Sequence, residues 1–319
     1  MLKFILKKLA MMIPMLLVIS LVVFVGLRST GVDPMTFVVP PEVMSQQPEL
    51  VEQLREELGY NDHIVVQYFR WLGNLVQGDL GLTNKGEDIG NIIATRLPYT
   101  LELSAYAMLL SAIIGIGIGI ISAIRQNGIV DYIGRVLAVL GQAVPQFLVG
   151  IIMIWIFSIQ LGIFPAANRV SPDATNAFVD AFMHLFLPVT TLTIGMVAVL
   201  MRYARNTMLD VLNSDYIKTA RSKGLSQGQI MWRHALRNAV MPVVTIMGPT
   251  VASVLTGTFV IESIFNIPGL GKYFVTSIKD LDYTMIGGTT VFYGALLIAC
   301  TLVVDLLYGF IDPRVKLED

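Results

Sequence analysis

Six apolar runs, near residues 9–27, 101–124, 136–164, 185–201, 239–262 and 285–308, alternate along the chain with segments that carry most of its charge. Crossing ~30 Å of hydrocarbon takes about 20 helical residues, so this pattern predicts an all-α, polytopic membrane protein with six transmembrane helices. The charge between the runs is lopsided. Segments 1–8, 125–135, 202–238 and 309–319 hold 14 of the 22 Lys and Arg in 67 residues, against 8 in 115 for the other loops. By the positive-inside rule both termini and the 202–238 loop, between helices 4 and 5, face the cytoplasm. The opening MLKFILKK and its 19-residue apolar run lack a small-residue cleavage pattern, so they read as an anchored first helix rather than a signal peptide.

Composition sharpens this picture in two places. With 55% hydrophobic and 14% charged residues among 319, and a mean hydropathy of +0.69, the chain has too little polar surface for a soluble globule. Its single cysteine, Cys300, lies inside the last run, which excludes a disulfide framework and a thiolate metal site. The net charge of −1 conceals the sidedness and gives no support to nucleic-acid binding. The chain divides into a cytoplasmic start with the first span (1–27), an extracytoplasmic helical segment (28–100) and a membrane core (101–319). Within 28–100, Leu50, Val51, Leu54 and Leu58 share a helical face that ends at Gly59, and Ile64 to Val76 continues with Tyr68, Phe69, Trp71, Leu72 and Leu75. This helical cap is either a lid over the span ends or a seat for an extracytoplasmic partner.

The polar island at 202–238 is the densest signal. Its centre reads DYIKTARSKGLSQGQIMWRHALRNAVMP, from Asp215 to Pro242. Gly224 supplies a positive-φ position that ends a first helix, with Lys218, Arg221 and Lys223 near its negative dipole end. Ser226 and Gln229 fit a capping box that starts a second helix over Gln227 to Asn238, and Pro242 is expected in the first turn of the next span. An ordered island of this kind between two spans is a docking surface.

At these residues the chain resembles the permease subunits of ATP-binding-cassette importers. Lys218, Thr219 and Ala220 stand where the general pattern has Glu-Ala-Ala, which is similar to the peptide and nickel subgroup. Thr219, Ala220, Lys223, Gly224, Leu225, Arg233, His234, Arg237, Asn238 and Pro242 fit that subgroup in order, as do ESIFNIPGLGKYF (Glu262 to Phe274) and DLLYGFIDPR (Asp305 to Arg314). The resemblance covers nearly the whole chain and implies that Asp215, Tyr216, Thr219, Ala220, Lys223, Gly224, Leu225, His234, Arg237 and Asn238 couple to separate ATPase subunits. It also implies a second homologous permease subunit, two cytoplasmic ATPase subunits, an extracytoplasmic solute-binding protein and the bacterial or archaeal cytoplasmic membrane. The chain itself would bind no cofactor, with ATP and magnesium at the partner ATPases. Short peptides are the implied cargo, with nickel chelates, glutathione-like peptides or oligosaccharides as alternatives; a secondary transporter driven by an ion gradient is the competing class.

Catalytic patterns fail on context. Gly224-Leu225-Ser226-Gln227-Gly228 satisfies G-x-S-x-G, but the serine follows a helix instead of a strand. His234, the only histidine placed on the same side, lies eight residues along the next helix, roughly 12 Å away. Gly271-Lys272 is followed by Tyr273 where a magnesium-binding Ser or Thr is required, and Asn266 replaces the first glycine of a phosphate loop. No catalytic or metal site is expected. Gly115 and Gly119 read as a close helix crossing. Among charged residues in or beside spans, Glu102 and Glu262 are expected to be structural, and Asp305 to pair with Arg202 or Arg205. Candidates for the translocation path are Gln142 and Gln146 around a kink at Pro145, and Ser253 and Thr256 in the fifth span. Phe265, Pro268 and Gly269 belong to a turn that would form an outer gate.

Overall fold

The computed structural model describes residues 2–39 and 41–311. Twelve helices carry the argument: α1 (Leu2–Ser29), α2 (Pro41–Gln46), α3 (Pro48–Glu57), α4 (Ile64–Val76), α5 (Ile89–Ile124), α6 (Ile129–Ala143), α7 (Gln146–Gln160), α8 (Ala177–Leu212), α9 (Asp215–Ser222), α10 (Gln227–Ile264), α11 (Leu270–Lys279) and α12 (Tyr283–Ile311). Among the described residues there is no strand beyond one isolated bridge, Leu82 to Asp88. Among the described residues five helices, α1, α5, α8, α10 and α12, are long and apolar enough to cross a membrane, and α6 and α7 pass the same test only together, as a bent pair that is either a broken span or a re-entrant loop.

The break corrects the expectation of one kinked third helix. The two halves meet at 103°. Proline disfavours helical backbone in the residue before it, and Val144 is accordingly extended (φ −86°, ψ 125°), so α6 ends outright and Pro145 caps α7.

The described residues form two compact units, 2–98 with 273–298, and 99–272 with 299–311. In the first, Phe24 of α1 meets the rings of Tyr68 and Trp71 at 5.4 and 5.6 Å, and Ser20 Oγ lies 2.9 Å from the Tyr68 hydroxyl. Gly59 adopts φ +70° where α3 ends, as its position predicts, and a Cβ there would strike the Arg70 guanidinium. Asp33 caps the turn after α1 and accepts two hydrogen bonds from Arg55, whose donation holds the Asp33 carboxyl below its ordinary range. A depressed carboxyl contributes stability above its unfolded value, near pH ~4, and loses it as pH falls through the folded value. We therefore expect protection of residues 33–58 against hydrogen exchange to fall on acidification, by under about 1 kcal/mol because the pair is partly solvated, and Asp33→Asn to flatten that dependence.

In the second unit the glycine crossing is present. A Cβ on Gly119 would lie 2.6 Å from Met201 O and one on Gly115 2.9 Å from Leu200 Cβ, whereas Gly117 faces open space. Helices α5 and α8 thus touch backbone to backbone. A second cluster joins α5, α8 and α10 through Leu103, Ala107, Leu187, Leu192, Val254 and Ile261.

Candidate functional site

The polar island folds as its sequence predicts up to its end. Ile217 and Ala220 turn inward from α9, and its remaining residues face out. Leu225 N donates to Ala220 O and Gly224 N to Arg221 O, the paired bonds that close a helix through a left-handed residue. Gly224 holds φ +76°, with nothing within 4 Å of where a Cβ would stand, so its requirement is conformational and not steric crowding by neighbours. The capping box is complete: Ser226 N donates to Gln229 Oε1 at 3.0 Å and Gln229 N to Ser226 Oγ at 3.4 Å.

Beyond the capping box the chain departs from expectation. Pro242 does not open the next span; α10 runs unbroken from Gln227 to Ile264, with Pro242 and Pro249 inside it and a wider, π-type turn at Ile230–Ala235. Such a turn accommodates an extra residue without ending the helix. The second half of the island is therefore the end of a helix long and apolar enough to cross a membrane.

Burial explains how the island is held. Ile217, Ala220, Ile230 and Ala235 pack with Ala123 of α5, Met208 of α8 and Ala239 of α10. Thr207 Oγ1 donates to Ala239 O at 3.0 Å, and Asn238 Nδ2 donates to the Tyr216 hydroxyl at 3.2 Å and to His234 O at 2.9 Å. Tyr216 and Asn238, both coupling residues by resemblance, thus join α9 to α10. Asp215 pairs with Lys218 Nζ at 2.8 Å, and Thr219 Oγ1 donates back to Asp215 O. Lys223 and Arg237 are exposed, His234 is half-buried in the wide turn, and Leu225 packs on the cluster. Two large aromatic side chains of the island are also exposed, Trp232 at 77% and Tyr216 at 45%. Motif and spacing assign Trp232 no role; an indole among charged neighbours in a polar loop is the signal that could have found it.

A second residue that the motifs pass over is Asp131. It is fully buried and accepts from Ser122 Oγ at 2.5 Å, Asn127 N at 2.9 Å, and Arg205 Nε and Nη2 at 2.6 and 2.9 Å. One carboxylate therefore ties α5, the α5–α6 turn, α6 and α8. Arg205 is engaged here; Asp305, its expected partner, has a side chain outside the described residues.

The expected path and gate residues separate into three places. Gln142 and Pro145 are exposed, and Gln146 reaches from the break between glycines: a Cβ on Gly195 of α8 would lie 2.6 Å from Gln146 Nε2, and one on Gly257 of α10 3.2 Å from Oε1. Ser253 and Thr256 share an exposed strip of α10, and Thr256 Oγ1 is 3.1 Å from both Ala252 O and Ser253 O. The turn after α10 is folded inward, with Phe265, Ile267, Gly269 and Leu270 buried and Pro268 partly covered. Glu262 organises it: its Oε2 accepts from Lys272 N at 2.9 Å, and a Cβ on Gly269 would collide with its carboxylate. Gly269→Ala should thus cost about 1–3 kcal/mol through overpacking, seen as a lowered melting temperature; an unshifted melting curve would show that the turn yields freely. Glu102 is likewise structural, accepting a bidentate pair from Arg169 at 2.9 and 2.6 Å.

The nearest approach to a nucleophile and base is Ser171 Oγ, 3.0 Å from His184 Nε2. His184 stands in the first third of α8. Its Nδ1 meets the carbonyls of Ala167 and Asn168, while Asp180 accepts from Ser171, so the aspartate does not orient the imidazole as a catalytic relay requires. These groups latch the loop before α8.

Several long apolar helices and an ordered polar island mark a multi-pass membrane protein, and comparison with known proteins places it. Residues 115–317 match the model of the binding-protein-dependent transport system inner membrane component, and residues 1–104 match its N-terminal membrane-component model. The chain belongs to this family. It is 39% identical to a putative peptide permease protein of Brucella suis over 99% of both chains. It is 39% identical to the oligopeptide transport system permease protein AppB of Bacillus subtilis, over 98% of this chain and 99% of that one. A glutathione transport system permease protein, GsiC of Escherichia coli, is 36% identical over 99% of both. Among solved structures, the fold matches the MetNI methionine ABC transporter in inward-facing conformations (TM-score 0.55, 15% identity, 69% of this chain and 96% of that one). The protein is a transport subunit and not an enzyme.

Proposed function

We propose that this chain is a membrane-spanning permease subunit of an ATP-driven importer, translocating short peptides handed over by an extracytoplasmic solute-binding protein. The peptide cargo rests on the full-length likeness to permeases named for peptides, oligopeptides and glutathione. In this reading six spans cross the bacterial cytoplasmic membrane, both termini and the 202–238 loop lie in the cytoplasm, and a second, homologous permease completes the pore. Two ATPase subunits engage the outward face of α9 and the start of α10, bringing the ATP and magnesium that this chain does not bind.

The observation that carries the mechanism is the continuity of α10. Force applied at Tyr216 and Trp232 enters a helix that runs to Ile264, while the buried face of α9 bears on the ends of α5 and α8. ATPase closure would therefore move these helices together, biasing the exchange between inward-open and outward-open states. Exposed Tyr216 and Trp232 on segments that also expose Lys218, Arg221, Lys223, Arg233 and Arg237 suit an ATPase groove with apolar and acidic parts. Trp232→Ala should weaken ATPase association by about 2 kcal/mol, roughly thirtyfold, in a pull-down of the intact complex. Wild-type recovery of the ATPases would remove Trp232 from the interface.

A further inference from the structure

A cavity of about 560 Å³ opens between α6 and α8, lined by Arg135, Gln142, Arg202, Arg205 and Asn206 at polar positions and by Ala138, Val139, Ala143 and Met201 at apolar ones. Its guanidinium groups are not equivalent. Arg205 is neutralised by Asp131 at 2.6 Å; Arg135 reaches the same carboxylate only at 3.6 Å and is half-exposed. Arg202 is exposed and makes no ion pair with any described residue. Three arginines against one carboxylate leave excess positive charge. On α6 that charge is flanked by exposed Tyr132, Ile133, Val136, Leu137 and Val139, a surface suited to hydrocarbon. A cation on such a surface is costly unless an anion accompanies it, and basic pockets between helices at the membrane boundary attract acidic headgroups.

We propose that this cavity binds the phosphodiester headgroup of an anionic phospholipid from the leaflet on the α9 side. Arg135 and Arg202 would meet the phosphate, Asn206 and Gln142 would offer amide donors, and the Val139, Ala143 and Met201 walls would take the start of an acyl chain. A free phosphate would leave those apolar walls unused. The leaflet assignment rests on the cytoplasmic placement of the dock; the presence of the site does not.

The test uses the whole importer, with its partner permease and ATPases, in nanodiscs of phosphatidylcholine alone or mixed with phosphatidylglycerol, followed by native mass spectrometry of retained lipid. Wild type should retain phosphatidylglycerol, and Arg135→Gln with Arg202→Gln should reduce retention by about fivefold per arginine, roughly twenty-fivefold together. Both residues are exposed, so the melting temperature in phosphatidylcholine should not change, and ATPase stimulation by the cargo-loaded binding protein there reports on the importer reading separately. Equal lipid retention by the double variant would overturn the site. So would displacement of the lipid by inorganic phosphate alone, or its loss on adding peptide cargo, which would assign the cavity to the translocation path.

Discussion

Gly224→Val is expected to insert and assemble its spans normally but to lose coupling between ATP hydrolysis and uptake. Gly224 holds φ +76° with open space beyond its Cα, so the substitution introduces no clash with other elements. The cost is local. A β-branched residue in the left-handed region is disfavoured by about 1–2 kcal/mol or more, and the chain relieves it by opening the turn. Opening the turn breaks the Leu225 to Ala220 and Gly224 to Arg221 bonds and unseats Ile217 and Ala220 from Ala123, Met208 and Ala239. Uptake in cells should fall at least tenfold at equal membrane abundance, since each ~1.4 kcal/mol of lost coupling is a factor of ten. Gly224→Ala, without the β-branch, should fall in between. Uptake by the valine variant at the wild-type rate would show that the turn is not a coupling element.

Asp131→Ala should be the most destabilising single change in the membrane core, by about 3–5 kcal/mol, because it strands Arg205 without its counter-charge. The carboxylate also satisfies Ser122 Oγ and Asn127 N, so its removal loosens α5 and α6 as well as α8. Replacing both partners with apolar residues of similar volume should recover much of the loss, since neither charge is then orphaned. Melting of the purified complex, followed by loss of its size-exclusion peak on heating, measures both variants. A single variant that melts with wild type would mean that the pair contributes nothing, and a double variant no better than the single would point to lost packing instead.

The sequence foretells best what short-range rules govern. The capping box at Ser226, the left-handed Gly224, the helices ending at Gly59 and Val76 and the close crossing at Gly115 and Gly119 all come from positions a few residues apart. The Asp131–Arg205 pair is not legible there because its members are 74 residues apart, and because Asp131 falls in a charged interval that reads as cytoplasmic loop. Pro242 misleads for a related reason. A proline near a span boundary signals a helix start, yet packing through Ala239, Val243 and the wide turn at 230–235 carries the helix past it. The Pro and Gly content of Phe265 to Gly271 announces a turn but not its burial, which depends on Glu262 and on Leu270 N donating to Thr100 Oγ1, 170 residues distant in sequence.

The decisive measurement is peptide uptake by proteoliposomes, with this chain, its partner permease, the ATPases and the binding protein reconstituted together and ATP placed inside. Uptake should require ATP hydrolysis, survive collapse of ion gradients and be lost with Gly224→Val. Uptake that persists without ATP or the ATPases but vanishes when the gradient collapses would contradict the importer reading and establish a secondary transporter.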